Sequence, residues 1–137
     1  MSDRERHLDR LAARHAQEIV RQADRGQAAD MDNTVTKALG VLQEDGIYAC
    51  ALFLKSRTGD EKKRADVVMD EMLNLLDGLG FGWGKPSSTK AEDILRHISD
   101  RVTGDNLERL LLAKETLEQM LIYARYGAKA RKAEEGE

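Results

Sequence analysis

The chain has 137 residues, which fits one domain with its own core and leaves little room for two. A net charge of −3 excludes a bulk polycation that grips nucleic acid through total charge. It leaves room for a local basic face, because contacts within a Debye length of about 10 Å feel the patch more than the total.

A third of the residues are charged and only one is proline, which favours helices. The single cysteine, Cys50, excludes an internal disulfide, and its place in the apolar run IYACALFL predicts a small buried hydrophobe, not a reactive thiol. No apolar run approaches the roughly 20 residues needed to span a bilayer. The opening MSDRERHLDR lacks the apolar segment of a secretory signal. These features predict a cytoplasmic protein without a membrane partner.

In chain order, Leu8, Leu11, Ala12, His15, Ala16, Ile19, Val20 and Ala23 recur at spacings of three and four and predict a first helix over about Asp3 to Asp24. The stretch DRGQAADMDN reads as a loop. A second helix is expected to begin at Asp32 or Asn33, both good caps, and to stop at Gly46. The third, Ile47 to about Ser56, is apolar nearly all round and so belongs at the centre of a core. A fourth, about Asp60 to Leu79, carries the clearest stripe, with Met69 and Met72 as core filler. Ser88 or Thr89 caps a fifth, and a last helix runs from about Asp105 to Ala130. No segment alternates with period two long enough to make a strand. The expectation is an all-α fold, a single compact bundle of about six helices over residues 1–137. Residues 1–30 would form an N-terminal helix and loop, and 131–137 a frayed acidic tail.

The glycine stretch GLGFGWGKPSS, Gly78 to Ser88, raises the possibility of a phosphate-binding loop. A Walker loop reads G-x-x-x-x-G-K-[ST] between a strand and a helix. Here Gly84 and Lys85 are present, but Leu79 stands at the first glycine position and Pro86 follows the lysine. The dinucleotide pattern fails as well, since Trp83 follows Gly82 and no strand with an acid lies downstream. The stretch is expected to be a joint that stops the fourth helix. Phe81 and Trp83 within it either tuck onto the core or form an exposed anchor for another protein.

No catalytic constellation is legible. His7 and His15 lie two turns apart, too far to share a metal comfortably. His97, with Asp93 and Asp100, reads as a surface cluster. There is no metalloprotease or carboxylate-bridged metal motif. The sequence predicts a protein that is not an enzyme, with no cofactor and no metal site.

Two basic segments stand out. KSRTGDEKKR holds Lys55, Arg57 and Arg64, and ARYGAKARK holds Arg125, Lys129 and Lys132, the last three spaced by four and three and so on one helix face. Such a face has two readings: it tracks a phosphate backbone, or it is a solvated helix end whose cations complement the macrodipole. Tyr123 and Tyr126 beside it either stack on bases or pack.

LGVLQEDGIYACALFLKSR (Leu39–Arg57) and LERLLLAKETLEQMLIYARYGAKA (Leu107–Ala130) together resemble the small subunit of the Cmr-type, type III-B CRISPR RNA-guided effector complex. Leu39, Gly46, Ile47, Phe53 and Arg57 sit at matching places in the first motif. Lys114, Glu115, Leu117, Tyr123, Arg125 and Tyr126 do so in the second. Gly40 stands where the family tends to have Pro, and Ile122 where it tends to have Trp. The resemblance covers most of the chain from about residue 30.

It implies an all-helical antiviral protein without nuclease activity. Copies would stack into a minor filament beside the other effector subunits and contact the backbone of guide RNA and target RNA. Arg57 and Arg125 are the contact candidates it carries over. Lys55, Arg64, Lys129 and Lys132 join them on local charge, and Arg14 from the first helix. The alternative is a helical protein–protein adaptor with no nucleic-acid role. On the RNA-binding reading, cations of the third and sixth helices should form one surface.

Overall fold

The long final helix lies between two others. In the computed structural model, which describes residues 2–136, α6 (Leu107–Glu135) packs lengthwise against both α1 (Asp3–Gln22) and α2 (Ala28–Asp45). Beneath α1 and α2 lies α4 (Asp60–Gly78), joined to α2 by the short α3 (Ile47–Lys55). A further helix, α5 (Ala91–His97), widens into a π turn at Ile98–Val102 and packs on α3. The protein is therefore an all-α bundle of six helices, and no described residue is in a strand.

The periodic apolar positions form one continuous core, with Ile19, Leu42, Leu54, Met72, Leu76 and Met120 all essentially inaccessible. Met69 and Met72 serve as filler, as their place in the stripe predicts. Cys50 is buried, and burial pushes its thiol up to about 12, so it carries no thiolate at neutral pH. Ser2 caps α1 by accepting from the Glu5 backbone N–H at 3.1 Å, and Asn106 caps α6 by accepting from Arg109 N–H at 2.9 Å.

Three boundaries differ from the sequence expectation, and one is the start of α5, whose N-cap is Lys90, with no side-chain cap, in place of Ser88 or Thr89. Helix α2 begins at Ala28, a turn before Asp32 and Asn33. Its start is held by burial of Ala28 and Met31, and Asp32 lies inside the helix, where it pairs with Lys129. The acidic tail, expected to fray from residue 131, is helical to Glu135; Glu137 lies outside the described residues. Arg131 explains this. Its guanidinium donates to the Val20 and Ala23 carbonyls at the end of α1, at 2.6 and 2.8 Å, and to Glu135 at 2.8 Å. Val20 lies in the last turn of α1, where its carbonyl also accepts from the Ala23 N–H at 3.2 Å, and Ala23 is the C-cap just beyond the helix.

One buried acid escaped the sequence reading. Glu71 on α4 is 5% exposed, and it accepts from His15 Nδ1 at 2.8 Å and from Asn74 Nδ2 at 3.2 Å. The pair ties α4 to α1 and satisfies a carboxylate that would otherwise be costly to bury.

The glycine stretch is a joint. Gly80, Gly82 and Gly84 all have positive φ, a conformation that strains other residues, and they fold the chain back after α4. Trp83 is tucked in: it is buried, and its indole N–H donates to Asp105 Oδ2 at 2.6 Å. Phe81 packs edge-on against it under the Arg109 guanidinium, and Arg101 donates to the Gly82 carbonyl. His97 does not cluster with Asp93 and Asp100. Asp93 accepts from Ser88, Asp100 faces Ser99, and His97 turns toward Gly84 with its Nε2 buried and unpartnered.

Arg131→Ala should cost about 1.5–3 kcal/mol in urea unfolding, the range for hydrogen bonds to a charged group, and speed amide exchange in the last two turns of α6. If exchange in those turns is unchanged, the tail is held by something other than Arg131.

The Trp83 indole, then the Asn106 N–H, hold the Asp105 carboxyl below its ordinary 3.8. A depressed acid contributes stability above its unfolded pKa and loses it as pH falls through the lower folded value. Trp83 fluorescence should therefore hold steady down to about pH 4 and change only below it. In Asp105→Asn that acid transition should vanish.

Candidate nucleic-acid interface

Seven cations nominated by the sequence are distributed over four helices and a turn, and packing treats them differently. Lys55 is largely covered and pairs with Asp66 at 3.1 Å. Arg57 caps the end of α3: its Nε donates to the Phe53 carbonyl at 3.2 Å, its guanidinium lies 4.2 Å over the Phe53 ring, and Glu61 stands 3.6 Å away. Arg64 Nε faces the buried Thr34 hydroxyl at 3.4 Å. Lys129 pairs with Asp32 at 3.1 Å.

The remaining three have no ion partner among the described residues. Lys132 is exposed on the last turns of α6. Arg14 is exposed on α1, on the rim of a cavity of about 580 Å³ that also involves His15, Glu18, Arg21 and Glu71. Arg125 is half-buried on α6, its Nε buried without a hydrogen-bond partner and its Cζ 5.8 Å from the Tyr126 ring centroid. That is within reach for a cation–π contact.

The cations of α3 and α6 are not adjacent. Lys129 meets Asp32, and Lys114 donates to the Gln43 carbonyl, so α6 follows one flank of α2. Lys37 meets Glu61, and Arg64 meets Thr34, so the start of α4 follows the other. Thr34 and Lys37 lie well over 100° around the helix from Asp32 and Gln43 at about 100° per residue. Arg57 and Arg125 thus border α2 from two sides, with its exposed Asn33, Thr36 and Gly40 between them. The single surface expected from the sequence is divided by α2, and the Arg57 side is partly neutralised by Glu61.

The two tyrosines separate cleanly. Tyr123 turns toward α1, where its hydroxyl donates to Asp9, and that carboxylate raises its pKa. Tyr126, three residues on, is 61% exposed. With Arg125, Lys129 and Lys132 it forms an outer strip on the C-terminal half of α6. The strip's exposed aromatic was visible in the sequence only as one of two candidates, because the Asp9 partner of Tyr123 lies 114 residues away.

Apolar exposure is also concentrated. Tyr48 and Leu52 on α3, and Leu107, Leu111 and Tyr126 on α6, are the large hydrophobics left exposed among the described residues. All five fall inside Leu39–Arg57 and Leu107–Ala130. No helix among the described residues is long and apolar enough to cross a membrane, and no group of three or more His, Cys, Asp or Glu there is placed to hold a metal ion. Comparison with known proteins adds no relative: no family model matches the chain, no curated protein matches its sequence, and no solved structure matches its fold.

Removing the acid that pairs with Lys129 should unmask it. Asp32→Asn should elute from a heparin column at higher salt than the parent, and steepen the salt dependence of polyanion binding by roughly one phosphate contact, a log–log slope of about 0.7–0.9. Identical elution would mean that the Lys129 ammonium does not face a bound polyanion.

Proposed function

We propose that the protein is a non-catalytic, RNA-binding structural subunit of a type III CRISPR antiviral effector complex, stacking with copies of itself beside the other subunits to hold guide–target RNA. Two things support this reading. One is the resemblance of Leu39–Arg57 and Leu107–Ala130 to the Cmr-type small subunit. The other, which carries it, is Arg125: a matched position where an arginine has no acid partner among the described residues, lies next to an exposed aromatic, and is followed by Lys129 and Lys132 on the same side of a rigid helix. Such a subunit positions RNA through its backbone and leaves sequence reading to base pairing. Single contacts are weak, and repetition along a filament supplies avidity.

A protein–protein adaptor is the second reading. Leu107 and Leu111, 67% and 56% exposed one turn apart on α6, favour it. The two readings agree on that end of α6 as a protein contact and part at Arg125.

The test is binding of the purified chain to an RNA duplex at two salt concentrations, followed by variants. Salt-sensitive binding is expected, with Arg125→Ala lowering the log–log salt slope by about 0.7–0.9, one phosphate contact. Arg57→Ala, whose guanidinium is already engaged by Phe53 and Glu61, should change it less. Co-purification with RNA-guided effector subunits is expected from cells. Salt-insensitive binding, or variants that leave the slope untouched, would favour the adaptor.

A further inference from the structure

We propose that Tyr126 is a stacking platform for one base that lacks a pairing partner, and that Arg125 and Lys132 take the flanking phosphates. The inference rests on the RNA-binding reading and specifies which feature of the RNA this site takes. An exposed tyrosine on the outside of a helix offers a flat apolar face and a polar tip, which suits a nucleobase whatever its identity. Tyr126 is 61% exposed, and the Arg125 guanidinium lies over one face of its ring, 5.8 Å from the centroid, which leaves the other face for a base and keeps a positive charge near that nucleotide's phosphate. Lys132 is two turns further along, about 10 Å, with no acid to neutralise it among the described residues.

The number of aromatics decides between single-stranded RNA and an isolated base. Grooves that follow a single strand present successive rings on which successive bases stack. Here the neighbouring ring, Tyr123, is turned away and held by Asp9, and α6 carries no further aromatic. One ring serves one base. A fully paired duplex offers no free face to it, so the site selects a base displaced from a helix or exposed at a strand end. Rigidity supports this: Arg131 fastens the last turns of α6 to α1, so the platform does not have to be ordered on binding.

The experiment uses the full chain and three RNAs of one sequence: a blunt duplex, the same duplex with one bulged 2-aminopurine, and the same duplex with a one-nucleotide 2-aminopurine overhang. Binding is followed by anisotropy and 2-aminopurine quenching in low salt. The expected result is about 5- to 100-fold tighter binding of an RNA with an unpaired base, with quenching, as stacking of one base supplies. Preference for the bulge assigns the site to a displaced base, and preference for the overhang to a strand end. Tyr126→Leu should erase the preference for an unpaired base and its quenching, while Tyr126→Trp should keep both. Equal binding of all three RNAs overturns the stacking platform and leaves the RNA-binding reading standing. No binding of any RNA at millimolar protein overturns both. Amide shifts at Tyr126 that depend on protein concentration without RNA assign the ring to a protein contact and likewise overturn the platform.

Discussion

The close approach of α1 to α6 governs the outer surface of the molecule. At the crossing, Gly127 faces Val20, and a Cβ on that glycine would stand only 3.1 Å from the valine Cγ2. One turn later, the Arg131 side chain reaches the Val20 and Ala23 carbonyls at the end of α1. Satisfying those carbonyls with a charged donor orders a stretch of α6 rich in charge and poor in apolar contact. The strip carrying Arg125, Tyr126, Lys129 and Lys132 therefore gains its fixed geometry from packing on the opposite side of its own helix.

The fold was readable from spacing alone because helix periodicity is a local property. The stripes of α1 and α4 bury the side that spacing indicates, and α6 does so from Ala113 onward, whereas Leu107 on the same stripe is 67% exposed. What the sequence left undetermined was pairing between elements. Lys129 and Lys55 read as free cations, since Asp32 and Asp66 lie on other helices. Glu71 and His15 read as unrelated, 56 positions apart, and form a buried clasp. Likewise the expected frayed tail failed for a long-range reason: nothing within residues 131–135 reveals that an arginine will find two carbonyls more than 100 residues away.

The glycine stretch shows the same division. Its failure to match a phosphate loop was decidable from residue types, because Pro86 occupies the place of a required hydroxyl. The fate of Trp83 was not, since it depends on Asp105 in the linker before α6. That hydrogen bond has a consequence beyond the loop. Asp105 also accepts from Arg109, whose guanidinium covers Phe81. The start of α6 is thus anchored to the loop by a polar cluster, just as its end is anchored to α1 by Arg131. A helix of 29 residues, about 43 Å long, is pinned at both ends.

Pinning matters for what such a surface can do. With a net charge of −3, the molecule does not draw polyanions from a distance, and most of its cations are already committed to acids of its own. Selectivity for nucleic acid then has to come from the cations that no acid engages, held where a ligand meets them without prior ordering. Arg125 is such a group, since no acid among the described residues pairs with its guanidinium and an exposed tyrosine lies next to it. A surface with few free contacts binds feebly as a single unit. Its strength grows with repetition, because linked weak contacts act at high effective concentration. An acidic molecule with one small basic strip is consequently better suited to act as a repeated unit along a strand than as a solitary binder, and the exposed Leu107 and Leu111 at the other end of α6 leave apolar surface for the contacts that repetition requires.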